Sequence, residues 1–267
     1  MESIASAARS VLLSAAPNEK VMRARQVARA WRGGLLAHRF DVPMPDEPAR
    51  PEAPALLPPN RMPRRGKIGS ERGRVAMLHA LAHIEFVAID LAFDLIGRFG
   101  GEFPRDFVDD WIRVGAEEAM HFALLDRRLK SLGSGYGALP AHGGLWESAQ
   151  DTAHDRVARL AVVPMVLEAR GLDVTPATVD RFRAAGDKRS AEILERIARD
   201  EIRHVHFGVK WFESCCAEQD LLPEAHWQLL VKRYFNGRLK PPFNASARRQ
   251  AGLSREYYLP LASVEPC

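Results

Sequence analysis

From Gly69 onward, apolar residues recur with a period near 3.6, and the short alternating runs that mark strands are scarce. The pattern predicts helices over about 70–98, 104–131, 148–171 and 188–217, separated by loops bearing Gly, Pro, Ser or Thr. Helices of this length span ~35 Å or more at ~1.5 Å per residue, which suits a bundle better than a compact orthogonal domain. The expected fold is therefore all-α: an antiparallel four-helix bundle over 70–218 with an N-terminal arm and a C-terminal extension. Residues 1–42 read as the helical arm, carrying Arg23, Arg25, Arg29 and Arg32. Eight prolines between Pro43 and Pro63 exclude regular structure and make 43–69 an extended linker, closed by the basic residues Arg61, Arg64, Arg65 and Lys67. Residues 219–267 give a short helix near 223–235 and a tail, with Tyr257 and Tyr258, expected to pack over the bundle.

On a helical wheel each long helix has a glutamate at the centre of its apolar face. Leu78, Ala82, Ile89 and Ala92 flank Glu85; Trp111, Val114, Phe122 and Leu125 flank Glu118; Val157, Ala161, Met165 and Leu172 flank Glu168; Leu194, Ile197 and Val205 flank Glu201. His121 and His204 follow Glu118 and Glu201 by three residues and share their faces. A carboxylate stranded in an apolar core costs several kcal/mol or more, so it must be neutralised, paired or metal-bound. Four carboxylates and two neutral imidazoles carry a charge of −4, which balances two divalent cations. Glu85 precedes Glu118 by 33 residues and Glu168 precedes Glu201 by 33, as a duplicated helix hairpin would give. With 19 Glu and 9 His, chance supplies about 0.6 of a Glu-x-x-His match, so placement on core faces at a repeated interval carries the argument. The competing account is burial as ion pairs with arginines such as Arg203.

The rest of the composition narrows the picture only slightly. A chain of 267 residues, 46% hydrophobic and 27% charged, is that of an ordinary globular protein. The N-terminus lacks a clean apolar leader and no uninterrupted apolar run approaches a membrane span, so the expectation is a cytoplasmic protein away from membranes. The net charge of +4 is a weak pointer to nucleic acid. Cys215, Cys216 and Cys267 form no disulfide or zinc pattern and read as reduced thiols.

The stretch 70–217 resembles the ferritin-like superfamily of di-iron carboxylate proteins, and Asp200-Glu201-Ile202-Arg203-His204 looks like the Asp-Glu-x-Arg-His motif of its oxygenases. That resemblance implies Glu85, Glu118, His121, Glu168, Glu201 and His204 as ligands, with Asp200 and Arg203 behind them orienting an imidazole, and Glu117 in the equivalent place in the first half. The first half departs from the motif, since Met120 stands where the arginine would be. More closely, His79 to Glu85, the Glu-Glu-x-x-His-Phe run at 117–122 and Glu168-Ala-Arg-Gly-Leu-Asp173 resemble the bacterial ferritin-like family called domain of unknown function 455. The chain is similar, more remotely, to the tRNA-modifying di-iron hydroxylases.

Carboxylate and imidazole donors suit two iron ions, with Mn/Fe and Mn/Mn open, and the absence of thiolate ligands argues against clusters and structural zinc. Two ferrous ions can each supply an electron to O2, so the expected class is an O2-dependent oxidoreductase acting on a small organic substrate. The arm, linker and tail exceed what a minimal storage bundle requires, which favours hydroxylation over iron handling. A ferroxidase, a tRNA hydroxylase using the arginines at 61–65 with Arg238, Arg248 and Arg249, and a non-catalytic metal-stabilised protein are the alternatives; a homodimer is left open.

Other residues take plainer readings. His79 and His83 point away from the Glu85 face and read as structural; His206 faces away from His204; His154 falls on the Glu168 face, nearly four turns off. Pro164 should kink the third helix just before Glu168, and Tyr136 lies in a loop.

Overall fold

The computed structural model describes residues 1–63 and 66–262. Arg64 and Arg65 of the basic group and Cys267 lie outside the described residues. The fold is all-α: strand among the described residues is confined to Glu2–Ser3 pairing in parallel with Leu36–Ala37, apart from isolated bridges. The chain divides into two units, Met1–Trp146 and Glu147–Cys267.

In the first unit, α1 (Ile4–Leu12) packs on α3 (Glu71–Phe99) and α2 (Pro17–Arg32) on α4 (Arg105–Ser131), while α3 and α4 form a long hairpin. The side chain of Ser70 starts α3 by accepting from the Gly73 N–H, with Glu71 in the first turn and Arg98 in the last to suit the helix dipole. Phe86 meets Phe122, and Phe93 lies where a Cβ on Gly115 would come within 2.7 Å of its ring, so the two helices run antiparallel and close. Almost every residue of α3 from Glu85 to Gly97 is buried. The most apolar stretch of α3 is long enough to cross a membrane, yet 61% of it is buried inside the molecule, as in the core helix of a globular unit. Its acids are answered locally: Lys20 of α2 pairs with Asp90, and Arg98 with Asp94 at 2.8 Å. Burial pushes the Asp90 carboxyl up and the Lys20 ammonium pulls it down.

The proline-rich stretch runs extended, as its composition requires, but it is docked rather than solvated. Met44 fills the space beside Gly97, Arg98 donates to Pro45 O, the Ala49 N–H donates to Leu12 O, and Leu56 bridges Ala141.

The second unit holds α6 (Arg156–Val162), a π-helical turn (Val163–Glu168), α7 (Ala169–Ala184), α8 (Lys188–Ala217), α9 (Pro223–Tyr234), α10 (Ala245–Gln250) and α11 (Arg255–Tyr258), with α7 and α8 packed together. The short α5 (Gly144–Asp151) runs across the division. The third long helix differs from the expected 148–171. Its start is set by Asp155, whose carboxylate accepts from the Val157 and Ala158 N–H groups. It then runs through Gly171 and Pro176 to Ala184. Pro176 has no N–H for the carbonyl of Leu172, and the Asn244 side chain donates to that oxygen instead, at 3.2 Å. The tail is fixed to α7 by the same neighbourhood: Arg248 makes a two-pronged pair with Asp173 at 2.7 and 2.8 Å, and Arg170 donates to the carbonyls of Lys240 and Pro242. Cys215 and Cys216 are buried, and burial pushes the Cys216 thiol up to about 12.

Candidate metal centre

Each unit brings one trio of the expected residues together. In the first, Glu85 comes from α3 and Glu118 and His121 from α4; each offers an atom within 4.8 Å of the others. The His121 Nδ1 lies 3.2 Å from Glu85 Oε2 and 3.5 Å from Glu118 Oε2, and all three residues are buried. In the second, Glu168 ends the π-helical turn and Glu201 and His204 come from α8, again with donor atoms within 4.8 Å of one another. The His204 Nδ1 lies 3.5 Å from Glu201 Oε2, the same distance as in the first trio. Glu201 and His204 are buried, whereas Glu168 is only half-buried.

The donor set fits a metal. Oxygen and nitrogen atoms placed ~2.0–2.2 Å from one cation lie roughly 3–4.4 Å apart, close to the separations found here. Three oxygen or nitrogen donors without sulfur match iron or manganese preferences. The arrangement can hold a divalent ion by two carboxylates and one imidazole per trio. Behind α4, Glu117 pairs with Arg113 at 3.2 Å; behind α8, Arg203 donates to Asp200 at 3.2 Å. On the Glu118 face, two turns earlier, the buried Trp111 Nε1 has no hydrogen-bond partner among the described residues.

Pro164 does more than bend the helix. It has no N–H to give to Leu160, and around it the helix widens to i→i+5 bonding over Val163–Glu168. Trp227 Nε1 meanwhile donates to Ala161 O at 3.0 Å. One extra residue in that turn shifts the face on which Glu168 emerges, which a regular 100° wheel does not capture.

Residues 13–259 match the family described as Protein of unknown function (DUF455). The chain belongs to this family. A Haemophilus influenzae relative, named only "Uncharacterized protein", is 42% identical to this DUF455 protein over 220 residues, 80% of this chain and 76% of the relative. No solved structure matches the chain. In the run Glu168 to Asp173, Glu168 belongs to the trio, while Arg170 and Asp173 hold the tail.

Two histidines outside the trios, His79 and His83, serve the loop at 133–142. His79 Nε2 accepts from the N–H groups of Gly137 and Leu139, at 3.0 and 3.4 Å. His83 Nε2 faces the carbonyl of His142 and therefore carries the hydrogen, leaving Nδ1 to accept from the Tyr136 hydroxyl at 2.9 Å. Tyr136 also packs on Phe86 and Phe122, the neighbours of Glu85 and His121, so the loop residue is part of the core behind the first trio. Sequence reading missed this, because nothing local ties Tyr136 to α3 or α4. His154 is exposed in the turn before Asp155 and hydrogen-bonds Tyr234; the helix that would have aimed it at Glu168 has not yet begun. His206 is exposed. Arg248, counted among the arginines available to a polyanion, is buried against Asp173 and withdrawn from that role.

Proposed function

We propose that each trio holds one divalent metal ion, iron by preference, and that the chain is a di-iron, O2-dependent oxidoreductase in the manner of the ferritin-like superfamily. The observation that supports this most is the repetition: both units present buried Glu and His from a Glu-x-x-His turn, with Nδ1 3.5 Å from the carboxylate three residues before, and a second glutamate alongside. Ferrous ions in these trios would supply electrons to O2. The chain's own residues hold the ions, balance their charge with four carboxylates, and keep water away with Phe86, Trp111, Phe122, Val205 and Phe212, all buried. The imidazoles of His121 and His204, both shielded from solvent, supply the nitrogen donors. The proposed substrate is a small organic molecule, with the cytoplasm as the compartment.

The test is to load the chain with Fe(II) without oxygen, admit O2, and follow oxygen uptake and the near-ultraviolet spectrum. A new oxo-bridge absorption with about one O2 consumed per two irons, then no further uptake without a reductant, is the expected result. Continuous uptake on feeding Fe(II) alone would make the protein a ferroxidase. Iron bound but inert to O2 would leave a metal-stabilised structural protein and end the oxidoreductase reading.

A further inference from the structure

The two trios are not equivalent, and the difference traces to one contact in the second unit. Glu201, His204 and Gly208 stand at positions i, i+3 and i+7 of α8 and so share one stripe, which faces the π-helical turn. A Cβ on Gly208 would come to 2.5 Å from Pro164 Cβ and 2.6 Å from its Cγ, well inside contact distance. The proline ring therefore occupies the space that any larger residue at 208 would need. One turn further on, in opposite directions along the two segments, Glu168 meets Glu201 and His204. The first trio also has a glycine against a ring, Gly115 on Phe93, but no widened turn: all three of its residues sit on regular α-helix and are buried, whereas Glu168 leaves a π-helical turn and is half-buried.

We infer that Gly208 is a positioning residue: by admitting the Pro164 ring it fixes the π-helical turn and so sets where Glu168 stands, which makes the second trio the more open and more easily exchanged of the two metal sites. The inference rests on the metal reading given under the proposed function. A rigid set of donors on fully buried residues holds its ion more tightly than one that includes a half-buried residue on a widened turn, because nearby water weakens the attraction and offers the ion an exit.

The experiment is an anaerobic titration of the full-length chain with Co2+, read by visible absorption and by equilibrium dialysis, in the wild type, Gly208→Ala, Gly171→Ala and Pro164→Ala. Gly171, on the neighbouring α7, has open space at its Cβ position and serves as the control. The wild type should take up two equivalents, the second more weakly. Gly208→Ala, with unchanged helicity by circular dichroism, should keep the first equivalent with its spectrum and weaken the second about 10-fold or more. Gly171→Ala should match the wild type. Two equivalents bound by Gly208→Ala with wild-type affinity, or loss of both from a folded variant, would overturn the inference while leaving the metal reading intact. If Gly208→Ala does not fold, Pro164→Ala addresses the same contact from the other side: a changed spectrum for the second equivalent alone supports the inference and an unchanged one overturns it. A wild-type chain that binds no Co2+ removes the metal reading itself, and the inference with it.

Discussion

Burial pushes the His83 ring from 6.5 down to about 4, and lowers His79 as well. Both hydrogen-bond patterns need a neutral ring: His79 accepts two backbone N–H groups, and His83 accepts the Tyr136 hydroxyl. The contribution is complete above pH 6.5 and declines as the pH falls towards 4, because the unfolded chain then binds a proton that the folded chain refuses. At His83 alone the loss reaches on the order of 3 kcal/mol by pH 4. Urea denaturation at pH 7 and pH 5 should show His83→Gln less stable at pH 7 but with a smaller drop on acidification than the wild type. Parallel drops would mean that His83 carries none of the acid sensitivity. At this scale the sequence exposed the six trio residues through their place on apolar faces, since a buried carboxylate is costly enough to stand out. It did not expose Tyr136, whose partners His83 and Phe86 lie 50 or more residues away in the chain.

Among the elements, three of the four long helices were legible because each keeps an unbroken 3.6-residue apolar period. The third was not. Its start depends on one capping acid, Asp155, placed inside an otherwise helix-like run, and its continuation past Pro176 depends on Asn244, far along the chain. A proline that local reading treats as a stop is tolerated because a tertiary partner takes up the carbonyl it leaves. Arg248 belongs to the same joint. Removing it leaves the buried Asp173 carboxylate to the Asn244 N–H at 2.9 Å and to Arg170 at 3.6 Å, so Arg248→Met should lower stability by about 3 kcal/mol in chemical denaturation. The double variant Asp173→Asn/Arg248→Met should recover much of that loss. Equal losses in both variants would show that packing, and not the ion pair, holds the tail.

For the whole molecule, the repeat at 33 residues was the most informative feature of the sequence, and each half of it corresponds to one trio held by a pair of packed elements. All-α architecture was readable from the apolar period and family membership from the motifs. Substrate and reductant were not, because those depend on cavity shape and partners that no periodicity encodes. The central claim is the binding of two metal ions per chain by these six residues. Its most direct test is the metal content of the purified chain after anaerobic Fe(II) loading and desalting, measured beside Glu118→Ala and Glu201→Ala. The account predicts about two irons per wild-type chain and about one or fewer in each variant. Equal metal content in all three proteins, or none in the wild type, would contradict it.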